Sequence, residues 1–213
     1  MKKLVTEFIG TFFLVLTVGL TVTSGTAFAP LAIGSALMIM VYMGGHISGA
    51  HYNPAVSLAV HMRGKMSAGE MISYWGAQVL GALVAALVAT WAAGQGFAPA
   101  PGPDASAAVA LTLEFLFTFA LALVVLNTAT SPLTEGNSYY GLAIGFTVVV
   151  GAFAAGGISG GAFNPAVGLG PILIDTIHGG SSIGHVWLYL VGPLLGGALA
   201  AVVFKLQHAD DAS

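Results

Sequence analysis

The sequence predicts an all-α membrane protein with six transmembrane helices and two shorter re-entrant half-helices, arranged as an inverted repeat. Three observations lead to this prediction. The 213 residues are 57% hydrophobic and only 6% charged, whereas a soluble domain carries about 25% charged residues. The chain contains two copies of one unit. Each copy contains an Asn-Pro-Ala tripeptide in an apolar setting.

The internal repeat aligns without a gap over its central part. Residues 31–56 match residues 142–167, because both segments begin with Leu-Ala-Ile-Gly, carry Ile-Ser-Gly and end with Asn-Pro-Ala-Val. Glu7 and Glu114 occupy matching positions further upstream. A repeat of this length indicates two structural copies of one unit. We therefore expect one membrane domain over residues 1–213, built of two inverted repeats at about 1–100 and 107–206.

Hydropathy predicts three membrane spans in each copy, each close to the 20 or so residues that a crossing needs. The predicted spans are 4–24, 31–47, 70–93, 107–129, 140–157 and 185–206. The apolar pieces at 54–62 and 165–174 are too short to cross. Since each copy crosses an odd number of times, the second copy is upside down relative to the first. The two short pieces then meet at the midplane.

Each short piece begins with signals for a helix start. Asn is a preferred N-cap residue, and Pro is favoured at the first helical position. The N-terminus of a helix carries a partial positive charge. The Asn side chain can cap its own helix with its carbonyl while its NH₂ group points into a lumen. We predict that two such starts form the centre of a pore, at Asn53, Pro54, Ala55, Asn164, Pro165 and Ala166.

Glycine-rich segments precede both tripeptides, and we expect their backbone to run extended. Non-helical backbone at membrane depth is tolerated where it lines a wet cavity or is buried in protein. The segments 49–52 and 160–163 are therefore predicted to present carbonyls to the pore. The residues concerned are Gly49, Ala50, His51, Tyr52, Gly160, Gly161, Ala162 and Phe163.

Glu7 and Glu114 are carboxylates within predicted spans, where an ionisable residue indicates function. One interpretation is a proton relay in a coupled transporter. The other is that each carboxylate accepts hydrogen bonds from the buried N–H groups of the re-entrant loop in its own half. The matching position of one carboxylate in each copy favours the second, loop-supporting role.

Other chemistry finds little support in the sequence. The net charge of −3 and the lack of cysteine indicate no nucleic-acid surface and no thiolate site. No catalytic arrangement or nucleotide-binding pattern is present, so we expect neither an enzyme nor a cofactor. His46 and His51 lack a third ligand for a metal.

Basic residues predict the orientation. With the N-terminus in the cytoplasm, all five basic residues fall on the cytoplasmic side, as the positive-inside rule requires. The C-terminus then lies in the cytoplasm as well. The basic residues are Lys2, Lys3, Arg63, Lys65 and Lys205.

These motifs together resemble those of the aquaporins, in the major intrinsic protein family. The resemblance rests on the runs at 48–56 and 160–166, on Glu7 and Glu114, and on Gly192-Pro193. It covers nearly all of residues 1–206. It implies six spans with two half-helices, a pore in each monomer and a homotetramer in a lipid bilayer, expected here to be a bacterial inner membrane.

The resemblance also implies a second constriction, the selectivity filter. Its four positions map by motif spacing onto Ile33, Ala152, Gly161 and Val167. Water-selective members resemble one another in having an aromatic residue, a His and an Arg there, and glycerol-passing members have aromatic residues and the Arg. This chain has neither an aromatic residue nor an Arg. It is similar instead to bacterial aquaglyceroporin-like members associated with arsenic resistance, in which a small apolar residue replaces the Arg.

We therefore expect a passive channel for small neutral solutes: glycerol-like polyols, undissociated arsenite, methylated arsenicals and water. One alternative is a water-selective or glycerol channel with a variant filter. A second is a secondary transporter, because inverted repeats with broken helices also describe that class. The lack of an intramembrane cation–carboxylate pair in the sequence disfavours the transporter.

Overall fold

The computed structural model describes residues 1–209, which form eight α-helices and no β-strand. We number them in chain order. They are α1 (Lys2–Thr23), α2 (Ala29–Ser48), α3 (Pro54–Met62), α4 (Ala68–Ala93), α5 (Ala107–Val125), α6 (Tyr140–Ser159), α7 (Pro165–Ile177) and α8 (Val186–Gln207). A π-helical turn spans Leu126–Thr130, and short 3₁₀ helices span Pro132–Thr134 and Ser182–His185.

Six of these helices are long and apolar enough to cross a membrane, as predicted. The other two, α3 and α7, have 9 and 13 residues. At 1.5 Å per residue they extend about 14 and 20 Å, whereas the hydrocarbon core is about 30 Å thick. They are the two re-entrant half-helices, and the predicted all-α architecture is confirmed.

Two helix ends differ from the predicted boundaries by three or more residues, and each has a local reason. The α-helical part of α5 ends at Val125, and the chain continues as the π-helical turn. There the Thr128 and Thr130 hydroxyls donate to carbonyls four residues back, at 2.8 and 2.6 Å, a contact that perturbs helical geometry. Helix α7 runs three residues past 174, because the His178 N–H donates to the Ile174 carbonyl at 3.2 Å.

The helices pack in pairs that repeat between the two halves. Helix α1 lies on α4, and α5 lies on α8 in the same way. Glycine permits both contacts: a Cβ at Gly81 would lie 2.5 Å from the Phe8 carbonyl oxygen, and one at Gly196 would collide with the Phe115 carbonyl oxygen. The half-helices cross between the repeats, since α3 packs mainly on α8 and α7 mainly on α4. Each repeat therefore completes the other.

Polar and apolar side chains are distributed as in a membrane protein. Large apolar side chains are exposed on the outside, including Phe28, Trp91 and Phe153. Buried polar side chains gather around the two loops that precede α3 and α7, as the bonds described below show. An apolar outer surface of this kind is suited to contact with the lipid bilayer. The buried polar side chains are available to form a site inside the protein.

Candidate functional site

The two tripeptides start the half-helices as the sequence indicates. Asn53 and Asn164 are both in extended conformation as N-caps. The Asn53 side-chain carbonyl accepts the Ala55 N–H at 2.9 Å, and that of Asn164 accepts the N–H groups of Ala166 at 2.9 Å and Val167 at 3.4 Å. Pro54 and Pro165 occupy the first helical positions. The caps satisfy N–H groups that a helix start leaves unpaired.

The same two asparagines connect the repeats to each other. The Asn53 NH₂ group donates to the Phe163 carbonyl at 2.9 Å, and the Asn164 NH₂ group donates to the Tyr52 carbonyl at 2.9 Å. Each NH₂ group has a second hydrogen, and both asparagines line the cavity described below. Each Asn side chain therefore caps its own helix, joins the opposite loop and retains one donor for the lumen.

A buried carboxylate holds the first loop. Glu7 is fully buried, and its Oε1 accepts the Ser48 hydroxyl at 2.7 Å and the His51 N–H at 3.0 Å. Its Oε2 accepts the Tyr52 N–H at 2.7 Å and the Gln78 side-chain NH₂ at 2.8 Å. Four donors surround this carboxylate, which is the arrangement expected of a loop-supporting group and not of a proton relay.

Glu114 holds the second loop in the same way. It is fully buried, and its Oε1 accepts the Ser159 hydroxyl at 2.8 Å and the Ala162 N–H at 3.1 Å. Its Oε2 accepts the Phe163 N–H at 2.7 Å. The two carboxylates thus bind corresponding atoms of the two loops.

The loop backbone turns tightly where we expected an extended run. Ala50, Tyr52 and Phe163 have φ values near +50°, and Gly49 and Gly160 end their helices at +86° and +97°. Left-handed residues are costly for any side chain larger than glycine. Successive N–H groups in such turns form a concavity that binds an anion. The expectation of extended backbone was wrong because these amides converge on a carboxylate.

Two buried tyrosines complete the scaffold, and sequence reasoning missed both. The Tyr74 hydroxyl of α4 donates to the Ser48 carbonyl at 2.7 Å, and the Tyr189 hydroxyl of α8 donates to the Ser159 carbonyl at 2.6 Å. Both bonds satisfy a carbonyl in the last turn of the preceding helix, α2 or α6. The signal was present, since these tyrosines match between the repeats at the same offset as Leu80 and Leu195.

A cavity of about 420 Å³ extends from the two asparagines to the 94–106 connection; we call it the central cavity. The four residues mapped to the selectivity filter, Ile33, Ala152, Gly161 and Val167, all line it. Val167 is 6% exposed and forms part of the cavity wall. The polar side chains on the wall are those of His51, Asn53 and Asn164, and no charged side chain of residues 1–209 lines it.

The residues predicted to present carbonyls divide into three groups. Five of them line the central cavity: Ala50, His51, Gly160, Gly161 and Ala162. Gly49 lines a second cavity of about 310 Å³ on the other side of His51, next to Lys65 and Glu70. We call this the Lys65 vestibule. The carbonyls of Tyr52 and Phe163 accept the asparagine amides.

The histidines do not form a metal centre in the described part of the chain. Residues 1–209 contain no cluster of three or more side chains suited to hold a metal ion. His46 is exposed, whereas His51 is buried, with its Nδ1 at 3.0 Å from the Ser57 hydroxyl.

Residues 1–204 match the family described as "Major intrinsic protein". The chain belongs to this family. The glycerol uptake facilitator protein-like 6 of Lactiplantibacillus plantarum is 34% identical over 99% of this chain and 100% of its own length. Aquaporin NIP1-3 of Oryza sativa subsp. japonica is 38% identical over 99% of this chain and 75% of its own length.

The fold is similar to that of the aquaglyceroporin from Plasmodium falciparum, with a TM-score of 0.85 at 23% identity. That match covers 96% of this chain and 95% of the other. Members of the family are passive channels for water and small solutes, not enzymes. The protein is accordingly an integral membrane channel with six apolar helices.

Proposed function

We propose that the channel passes small neutral solutes: glycerol-like polyols, undissociated arsenite, small methylated arsenicals and water. The observation that carries this proposal is that an apolar residue, Val167, lines the wall of the central cavity at a filter position. An Arg at this position would bring five donors and a permanent charge. Val167 brings a short apolar side chain and no donor, and Ala152 and Gly161 add little bulk to the same wall.

Electrostatics support a neutral solute. No charged side chain of the described residues lines the central cavity, and the one arginine of the chain, Arg63, packs over the Phe204 ring at 4.6 Å. Stripping water from an ion costs far more than apolar walls return. The partial positive charges at the starts of α3 and α7 oppose cations at the centre. Neutral solutes meet neither barrier.

The polar groups of the wall favour solutes with hydroxyl groups. Asn53, Asn164 and His51 supply donors or acceptors, while Leu14, Ile33, Val167 and other apolar side chains fill the remaining wall. A solute that replaces part of its water with these groups loses less hydrogen bonding on entry. Glycerol is such a solute, and undissociated arsenite is a triol of roughly the same size. The relative named for glycerol uptake, at 34% identity, supports the glycerol part of this proposal.

The site residues support a channel over a coupled transporter. Glu7 and Glu114 accept hydrogen bonds from the loops, and within residues 1–209 neither forms a salt bridge. The ion pair between Lys3 and Glu70, at 2.7 Å, involves side chains that are 49% and 32% exposed. A water-selective or glycerol channel with a variant filter is the alternative, and the choice depends on which solutes cross.

We also propose that the channel is a homotetramer in a bacterial inner membrane, with both termini in the cytoplasm. The five basic residues support this orientation through the positive-inside rule. A reporter fused after Gln207 should read cytoplasmic, and one inserted at Gly102 should read external. A cytoplasmic signal at Gly102 would overturn the orientation.

A swelling panel in proteoliposomes tests the solute. Vesicles with purified protein are exposed to an osmotic gradient to measure water flux, and to gradients of glycerol, urea and arsenite at a pH where arsenite is undissociated. Empty vesicles measure the permeability of the bilayer alone, and arsenate serves as a charged control. We expect fast glycerol and arsenite entry and no arsenate entry above the leak. Conduction of water with exclusion of both glycerol and arsenite would refute the proposal.

A further inference from the structure

A third cavity lies on the Lys65 side of the channel. It has a volume of about 450 Å³ and borders the Lys65 vestibule, since Gly49 and Lys65 line both. We call it the inner mouth. Ile144 lines the inner mouth and the central cavity, so a solute that leaves the central cavity past Ile144 enters the inner mouth. Within residues 1–209, Tyr140 is the one aromatic residue of its wall.

One face of α6 follows the path from the inner mouth to the other end of the central cavity. Residues spaced by four lie on the same side of a helix. The first two of these residues line the inner mouth, and all but the first line the central cavity. Their side chains become steadily smaller away from the inner mouth, so α6 takes up most space there. In this order they are Tyr140, Ile144, Val148, Ala152 and Gly156.

Helix α2 is the equivalent of α6 in the first repeat. Both helices have 20 residues; α2 begins at Ala29 and α6 at Tyr140. In this register Gly45 of α2 corresponds to Gly156 of α6. The two ends of the path can therefore be compared position by position.

At the inner mouth, the ring of Tyr140 fills the space beside Gly45. A Cβ on Gly45 would lie 3.3 Å from both Cε2 and the hydroxyl oxygen of Tyr140. The ring also packs edge-on against Tyr42, with 5.3 Å between the ring centroids. Gly45 thus provides the seat for this ring, and the contact with Tyr42 holds the ring in the wall.

At the other end of the path the equivalent space is empty. The repeat places Ala29 opposite Gly156, as Tyr140 lies opposite Gly45. Ala29 and Gly156 both line the central cavity, and within residues 1–209 a Cβ on Gly156 would point into open space. The two ends of the path therefore differ by one aromatic ring.

The tip of the Tyr140 ring faces open space. Its hydroxyl makes no hydrogen bond within residues 1–209, and it is not among the buried unpaired polar atoms of that part of the chain. A phenolic hydroxyl normally finds a partner when it is buried. Since the side chain lines the inner mouth, its hydroxyl end is the part that a passing solute meets.

We infer that Tyr140 is a further selectivity residue, whose ring limits the size of the solutes that cross the inner mouth. This inference deepens the proposed function and rests on the proposed passage of polyols. Val167 lines the central cavity and leaves it apolar, whereas Tyr140 acts at the far end of the path. A polyol longer than glycerol passes the open end with Ala29 and Gly156 and is held back at Tyr140.

Polyol flux into vesicles tests the size limit. Tyr140→Ala gives the inner mouth the residue that the first repeat has, so the permeability for a linear five-carbon polyol should rise relative to glycerol by about tenfold, the lower end of what a fitted pocket achieves for one added carbon. Tyr140→Phe keeps the ring and should keep the native ratio. Tyr139→Ala removes the neighbouring tyrosine, which is 49% exposed, and should do the same. A native ratio in a folded Tyr140→Ala channel would overturn the inference.

Thiol labelling tests the position of Tyr140 without any polyol. The chain contains no cysteine, so Tyr140→Cys and Tyr139→Cys each have a single thiol. A bulky methanethiosulfonate is added to both sides of the membrane, and mass spectrometry measures its incorporation. We expect labelling of both variants and a loss of water flux in Tyr140→Cys alone. An unlabelled Tyr140→Cys, or a labelled one with unchanged water flux, would contradict the inference. If the native channel passes no glycerol, the proposed function fails instead, and the water flux still reports on Tyr140.

Discussion

The two re-entrant loops share a scaffold and differ in what they present to the lumen. In each, a buried glutamate binds two loop N–H groups and a serine hydroxyl, a tyrosine hydroxyl binds the serine carbonyl, and an asparagine caps the half-helix. Around this scaffold the first loop has His51, Ser57 and Gln78, whereas the second has Ala162, Gly168 and Pro193.

The comparison separates two physical tasks. Backbone that turns at membrane depth leaves N–H and C=O groups that water cannot satisfy, so both loops need the same partners. The side chains that face the lumen need no such partners, and they differ between the loops: those of the first loop are polar and those of the second are apolar. Equivalent substitutions in the shared scaffold should therefore have similar effects in the two halves. Substitutions of residues that face the lumen should have different effects in the two halves.

The largest effect should come from the carboxylates. Glu114→Leu leaves three donors without their acceptor, and Glu7→Leu leaves four. Each unsatisfied buried donor costs about 1–3 kcal/mol, so we expect both variants to assemble poorly, and Glu7→Leu to be the worse. Thermal unfolding in detergent and the yield of folded protein measure this, with the exposed Glu135→Leu as the control. Native stability in either variant would contradict the scaffold.

Substitution of the two pore asparagines should have the next largest effect. Asn164→Ala removes a helix cap, which costs about 0.5–2 kcal/mol, and the bond to the Tyr52 carbonyl, which adds about 0.5–1.5 kcal/mol. Asn53→Ala makes the equivalent loss in the other half. We expect lower thermal stability and lower solute flux in both variants. Full flux together with an unchanged unfolding temperature would refute the dual role.

The smallest effect should come from the tyrosines. Tyr74→Phe and Tyr189→Phe each remove one hydroxyl and leave the ring, so each should lower the free energy of unfolding by about 0.5–1.5 kcal/mol. Because the two bonds are equivalent, the two losses should agree. Denaturant unfolding of both variants measures them. A loss in one variant only would break the equivalence of the two scaffolds.

Much of the fold could be predicted because hydropathy and helix-start chemistry are local. The six spans and both half-helices follow from apolar length and from the Asn-Pro pairs, and the pairing of Glu7 and Glu114 with the loops follows from the repeat. The end of α7 could not be read from hydropathy, which falls at Asp175 although the hydrogen-bonded turns continue to Ile177.

The site was less predictable where contacts depend on how helices rotate. Gln78 and Ser57 are unremarkable in the sequence, and only the packing of α3 against α4 brings their side chains within 3.1 Å of each other. The turned loop was also missed, because a carboxylate from another helix sets its conformation. Local patterns do not encode partners that come from distant segments.

The most direct test of the account concerns Val167, where the lumen differs from an arginine-bearing filter. Arsenite, glycerol and water fluxes are measured in vesicles carrying the native channel, Val167→Arg or Val167→Leu, the last adding bulk without charge or donors. We expect the Arg variant to slow glycerol and arsenite more than water, and more than the Leu variant does. Unchanged solute flux in a well-folded Val167→Arg channel would contradict the claim that this position selects the solute.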